Sequence, residues 1–371
     1  MNVQVRPRDA GASLSGVKAG IADCDIHPVL PKVTDLYPYL SQHWRMYLET
    51  YGTSQRQAHQ SGVNPYPKAQ PNAARRDAWP PGGGAPGTDL DFLRRQHLDL
   101  HNIVFGVINP LALSGQGLAN PGLSKAMCHA TNQWQVEALV KPEPRLRASI
   151  VVPYEDPDAA AAEIDLHAGN PAYAQVLLLG RTGELLGQNR YRPIFEAAVR
   201  ARLPVAVHAF GYSGQPVTSS GWPSFYIEEM TGHAQCAQAQ LTSMVVEGLF
   251  EALPELRVIM VEAGFAWLPA LAWRLDRTWR RMRDETPHLR LAPSEYLRRQ
   301  VWLTTQPMEE PEPRERLLDT IEWIGWDRLL FATDYPHWDF DDPAHALPVR
   351  VDEARRHAFF IGNAMELYGF A

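Results

Sequence analysis

Apolar positions along this chain gather in short unbroken runs, and from Asp89 onwards each run is followed by a stretch with helical spacing. The first run, Ile21-Ala22-Asp23-Cys24-Asp25-Ile26-His27, predicts a strand that ends in polar groups. Seven more strands are predicted at Asn102–Pro110, Leu146–Val152, Gln175–Leu179, Pro204–His208, Arg257–Val261, Val301–Thr304 and Arg328–Ala332. Strands without a polar face are buried on both sides, as a parallel sheet beneath helices requires. The intervening helices are predicted at Asp89–Leu100, Ser124–Leu139, Asp156–His167, Tyr191–Ala201, His233–Phe250, Leu268–Arg283 and Pro313–Trp323, with Val351–Phe359 and Asn363–Tyr368 closing the chain. Eight alternating units predict a single (β/α)8 TIM barrel and not an open doubly wound sheet. No GxGxxG follows the first strand, and neither a P-loop nor a fixed repeat appears. Residues 51–89, rich in Pro, Gly, Gln and Asn, keep no period and read as a long insertion after the first strand. The barrel domain is drawn at 19–371, behind a polar N-terminal arm at 1–18.

Composition narrows the classes. With 45% hydrophobic and 21% charged residues, the 371-residue chain is not wholesale disordered. A net charge of −7 argues against a nucleic-acid partner, whose footprint would be basic. No apolar run approaches about 18 residues, the first residues lack a signal-type core, and the three cysteines form no CxxC. A soluble cytoplasmic protein with no membrane partner is expected. The five lysines end at Lys141, which excludes a Schiff base on the later strands.

In such barrels the chemistry gathers at the C-terminal strand ends. The polar residues there are Asp25 and His27, His208, Glu262 and Asp334. Asp25 and His27 are two apart and share a face, with Cys24 and Ile26 expected to point away. Two imidazoles and up to three carboxylates form a nitrogen and oxygen set suited to Zn²⁺, Mn²⁺ or Fe²⁺. A lone histidine after a strand is ordinarily a hydrogen-bonded structural group. Five polar groups breaking apolar strands at one rim outweigh that reading, because each left unpaired costs roughly 1–3 kcal/mol.

Other candidates are weaker. Arg75 and Arg76 could clamp an anionic substrate, although a solvated pair or subunit contact is the plainer reading. Trp79 and Trp222 are candidates for an aromatic wall against a planar substrate. His233, placed at the start of the helix after strand 5, is a capping group or a substrate contact, and His337 is a donor to substrate or a brace for Asp334. His97, His101 and His129 are read as structural.

Four segments together carry a family resemblance: Asp23-Cys24-Asp25-Ile26-His27, Val207-His208, the run from Glu247 to Arg257, and Thr333-Asp334-Tyr335-Pro336-His337. From about residue 20 onward the chain resembles the amidohydrolase superfamily. More narrowly, it resembles the branch with aminocarboxymuconate-semialdehyde decarboxylase and the resorcylate-type decarboxylases. The resemblance implies Asp25, His27 and His208 as metal ligands and Asp334 as the carboxylate that binds metal and moves protons. Binuclear relatives carry a carboxylated lysine on strand 4, where this chain has Gln175-Val176-Leu177-Leu178-Leu179, so one divalent ion is expected, zinc ahead of manganese or iron. The strand-6 histidine of the decarboxylases is Glu262 here, read either as a further ligand or as an acceptor orienting His27 or His208. That departure tilts the expectation towards hydrolysis of an amide, lactone or ester of a small cyclic or aromatic acid by a metal-activated water. Non-oxidative decarboxylation of an aromatic or muconate-type acid is the alternative, and a non-catalytic binding barrel the rival of another class. The partner is a small molecule, and whether the chain forms a homo-oligomer is left open.

Overall fold

The computed structural model describes residues 20–53, 73–209 and 216–370. The N-terminal arm, the middle of the insertion and part of the segment after the fifth strand lie outside the described residues.

Eight parallel strands follow one another in chain order: β1 (Ile21–Ile26), β2 (Ile103–Ile108), β3 (Leu146–Val151), β4 (Tyr173–Leu179), β5 (Val205–His208), β6 (Val258–Val261), β7 (Val301–Thr304) and β8 (Leu329–Leu330). Each pairs with the next. The ring closes beyond the short β8, where Cys24 N donates to Phe331 O (2.9 Å), Asp334 N to Asp25 O (3.1 Å) and His27 N to Tyr335 O (2.8 Å). This is the (β/α)8 barrel the apolar runs predict.

The helices start where short polar side chains can accept from free backbone amides. Asp89, Asn120 and Asp156 cap Leu90–Leu93, Pro121–Trp134 and Pro157–His167, accepting from Phe92 N, Leu123 N and Ala159 N. Proline opens the last two, where its missing N–H costs nothing. Among the described residues, no helix is long and apolar enough to cross a membrane.

Three expectations shift. The helix after β5 begins at Tyr226, seven residues before His233, and runs to Val246, so His233 lies in its interior. The helices Gln42–Tyr51 and Pro293–Gln300 are not predicted, because the first buries only Leu48 and the second is short and mostly polar, so neither shows a clear apolar stripe. Cys24 does not point away from the interior. It packs with Val107, Ala206, Ile259 and Val261 inside the barrel, above Leu367 of the closing helix. The cause is a bulge: Asp23 pairs with Gly106 and Ile26 with Ile108, so three steps on β1 meet two on β2 and the alternation slips.

One buried ion cluster ties the loop before β3 to the helical stretch before β2. Glu143, 4% exposed, accepts from Arg94 Nε (2.9 Å) and from Arg145 Nε and Nη2 (both 2.8 Å). Its hydrogen bonds to Arg145, opposed by burial and aided by Arg94, pull its pKa from 4.5 to about 2. A depressed carboxylate stabilises the fold above its unfolded pKa and loses that contribution as pH falls through the folded value. Glu143→Gln is therefore expected to lower stability by about 2 kcal/mol at neutral pH. The gap to wild type should close between pH 4.5 and about 2, measured by urea melts. A gap that persists at pH 2 would show that shape, not charge, holds the loop.

Candidate metal centre and active site

The bulge in β1 brings Asp25 and His27 to the same interior rim. His27 Nδ1 donates to Asn109 O (2.8 Å), which leaves the lone pair of Nε2 facing the centre of the rim. That Nε2 lies 3.1 Å from Asp25 Oδ1 and 2.9 Å from Asp334 Oδ1. From β5, His208 Nε2 lies 3.0 Å from Glu262 Oε2 and 3.7 Å from Asp25 Oδ2. The ligand-type atoms of Asp25, His27, His208 and Glu262 all fall within 4.8 Å of one another. Asp25, His208 and Asp334 are fully buried and His27 nearly so.

Asp25 Oδ2 and His27 Nε2 are buried and make no hydrogen bond among the described residues. Orphaned buried polar atoms are rare in folded proteins. Here a shared divalent cation would satisfy both. The donor set, imidazole nitrogens with several carboxylates, suits a first-row divalent ion, so the residues fit a catalytic metal.

Glu262 has a definite place. A carboxylate that merely orients a ligating histidine meets the ring nitrogen turned away from the ion. Glu262 instead meets Nε2 of His208, the nitrogen turned towards Asp25, at a spacing two ligands of one ion would have. Glu262 and Asp334 both leave their strands with positive φ, 54° and 61°, which turns each carboxylate back over the rim.

Charge coupling follows from this crowding. Burial alone would raise the Asp25 carboxyl, but the His27 and His208 imidazoles hold it far below the carboxylate range. Burial, reinforced by the Glu262 carboxylate, pushes Asp334 up to about 8. His208 is lifted to about 9 despite burial, chiefly by Glu262, while burial drives His233 down to about 4.

His337 joins the site, with Nδ1 2.6 Å from Asp334 Oδ1 and its ring stacked 4.6 Å from that of His27. Its side chain is 23% exposed, so it links buried Asp334 to solvent. His233 is buried, with Nδ1 3.7 Å from Glu262 Oε1, a neighbour of the rim rather than a helix cap. Arg75 does not offer a free clamp. Its guanidinium is held by both oxygens of Asp77 and lies over the Phe340 ring at 4.2 Å. Arg76 is exposed, and Trp79 and Trp222 are 38% and 41% exposed. No contact joins these three to the rim among the described residues.

Several residues missed in the sequence support the rim. Asn109 donates from Nδ2 to Asp25 Oδ1 (2.8 Å), and its Oδ1 accepts from Ser149 Oγ (2.6 Å) and Gln175 Nε2 (3.0 Å). Gln306, after β7, donates to Asp334 Oδ2 (3.4 Å) and Asp339 Oδ2 (3.1 Å). Both are polar residues closing apolar strands, the same signal that picked out His208. Asp23 faces outward. It accepts from Thr333 N (3.0 Å), Thr333 Oγ1 (2.6 Å), Asp25 N (3.2 Å) and His97 Nε2 (2.7 Å), fastening β1 to the turn that carries Asp334. His97, read as structural, is part of that fastening.

Comparison with known proteins follows the same lines. Residues 22–370 match the family described as Amidohydrolase. The chain is 23% identical over 290 residues to a gamma-resorcylate decarboxylase of Polaromonas sp., covering 76% of this chain and 87% of that protein. Among solved structures, it resembles the 2,6-dihydroxybenzoate decarboxylase from Rhizobium (20% identity, TM-score 0.67, 95% of this chain and 99% of that one). It also resembles the 5-carboxyvanillate decarboxylase from Novosphingobium aromaticivorans, complexed with manganese and 4-hydroxy-3-methoxy-5-nitrobenzoic acid (18%, 0.71, 94% and 96%). With a match spanning nearly the whole barrel and a rim built of the expected donors, this chain belongs to the amidohydrolase family.

Proposed function

We propose that this protein is a metal-dependent, non-oxidative decarboxylase of a hydroxylated aromatic acid. The rim would serve hydrolysis or decarboxylation alike. The observation that carries the choice is the likeness to a gamma-resorcylate decarboxylase over 87% of that protein's length. It reverses the ordering that Glu262 suggested, which placed hydrolysis first.

Asp25, His27, His208 and Glu262, with Asp334 at the edge, would hold one divalent ion. When bound, that ion supplies a positive charge that anchors and polarises the substrate's oxygens. Manganese is preferred over the zinc first expected, because carboxylates outnumber imidazoles in this set and the similar decarboxylase structure contains manganese.

The remaining roles fall to side chains. Asp334, buried at the rim with Oδ1 2.6 Å from His337 Nδ1, is placed to receive a proton through His337 and give it to the ring carbon bearing the carboxylate. The bond between that carbon and the carboxylate then breaks, its electron pair restores the aromatic ring, and carbon dioxide leaves. His337, bonded to Asp334 and reaching solvent, returns the proton. Asn109 and Gln306 hold Asp25 and Asp334 in register. Trp338, 49% exposed beside Tyr226, offers an aromatic face near the entrance.

The test is carbon dioxide release from a panel of hydroxybenzoates by manganese-loaded protein, run beside a panel of amides, esters and lactones. Turnover of a hydroxybenzoate is expected. Hydrolysis without carbon dioxide release would restore the hydrolase reading. Inactivity on both panels with no bound metal would favour a binding barrel.

A further inference from the structure

Outside the barrel, behind β3 and β4, a second set of metal-type donors lies between two helices. His129 belongs to Pro121–Trp134, while Glu163 and His167, one turn apart, belong to Pro157–His167. Glu163 Oε1 lies 2.9 Å from His167 Nε2 and 3.2 Å from His129 Nδ1, and Oε2 lies 3.3 Å from His129 Nδ1. One nitrogen of each ring and a carboxylate oxygen fall within 4.8 Å of one another.

Two features set this cluster apart from an ordinary surface ion pair. The first is crowding. Glu163 Oε1 also accepts from Asn132 Nδ2 (2.9 Å), so three donors converge on one oxygen with two lone pairs while Oε2 meets only His129. A single cation in place of the imidazole protons would relieve that crowding. The second is rigidity. Asn132 is pinned to β3 by Val151, donating to its O and accepting from its N (both 2.9 Å). The ring of His167 packs on Tyr173 at 4.7 Å, and the Tyr173 hydroxyl donates to Asn132 O (3.0 Å). The ligand atoms are thus oriented from behind, as in built metal sites. Glu163 and His167 are buried, whereas the His129 side chain is 38% exposed and gives an ion a way in.

We propose that His129, Glu163 and His167 form a structural divalent-cation site of the zinc class that clamps these two helices together. Two neutral imidazoles and one carboxylate, with a solvent molecule as fourth ligand, match the donor preference of Zn²⁺ or Co²⁺. The rim, richer in carboxylates, has a harder donor set, so the two sites should differ in preferred metal.

Metal-free full-length protein is titrated with Zn²⁺, and bound metal is counted by mass spectrometry. Wild type is expected to bind one equivalent more than His129→Ala and one more than His167→Gln, with carbon dioxide release or any other measured turnover unchanged. Zn²⁺ should raise the melting temperature of wild type more than that of either variant. Equal stoichiometry in all three proteins overturns the proposal. Should a variant fail to fold, wild type alone decides: Zn²⁺ is expected to block carbethoxylation of His129, located by peptide mapping. Undiminished modification with Zn²⁺ present overturns the proposal as well.

Discussion

Asp334→Asn is expected to lower turnover about 10³-fold, within the range assigned to a positioned general acid, while the protein remains folded. Asparagine has the same shape but no proton to give to carbon. It also accepts the left-handed backbone at this position, φ 61°, better than most residues, so the turn should survive. Its amide can still meet His337 and Gln306, where the carboxyl now lies 2.6 and 3.4 Å away. Steady-state carbon dioxide release and a thermal melt on one preparation separate the two effects. A variant that keeps a tenth of wild-type turnover would remove Asp334 from the proton transfer.

The second large effect is expected at His208. His208→Ala removes one of the two imidazoles facing the rim and leaves Asp25, Glu262 and Asp334 buried together with less positive charge between them. Loss of at least ~100-fold in manganese affinity and of nearly all activity should follow, in line with the dependence of a metal site on each of its ligands. Chelator should lower the melting temperature of metal-loaded wild type, because the carboxylates lose their counter-charge, and should change that of His208→Ala little. A variant that still takes up manganese at wild-type stoichiometry would place the ion elsewhere.

Much of this site was legible because a barrel puts its working residues where apolar strands end. Asp25, His27, His208, Glu262 and Asp334 each interrupt such a run, and the structure gathers all five. Asn109 and Gln306 carried the same mark but are amides, which suggest neither acid nor ligand. The facing of Cys24 could not be read, because strict alternation holds only until a bulge, and a bulge depends on the partner strand. His233 was misplaced because the helix carrying it starts behind Phe225, which is not one of the short polar residues that signal a helix start. The arginine and tryptophan candidates rested on residue type and a place in the polar excursions, and neither aims a side chain. The choice between reactions was least legible, since one donor set serves both chemistries.

The donors also come from opposite ends of the chain: Asp25 and His27 on β1, Asp334 just past β8, and the seam between them sealed by Asp23 and Thr333. A ribosome making this protein threads out the first two of these donors more than three hundred residues before the last. The rim therefore cannot close before the turn after β8 has been made. On the proposed ligand set, cofactor loading becomes a step that waits for the turn after β8, and a product cut short before that turn, however well its early helices form, would hold only half of the cage.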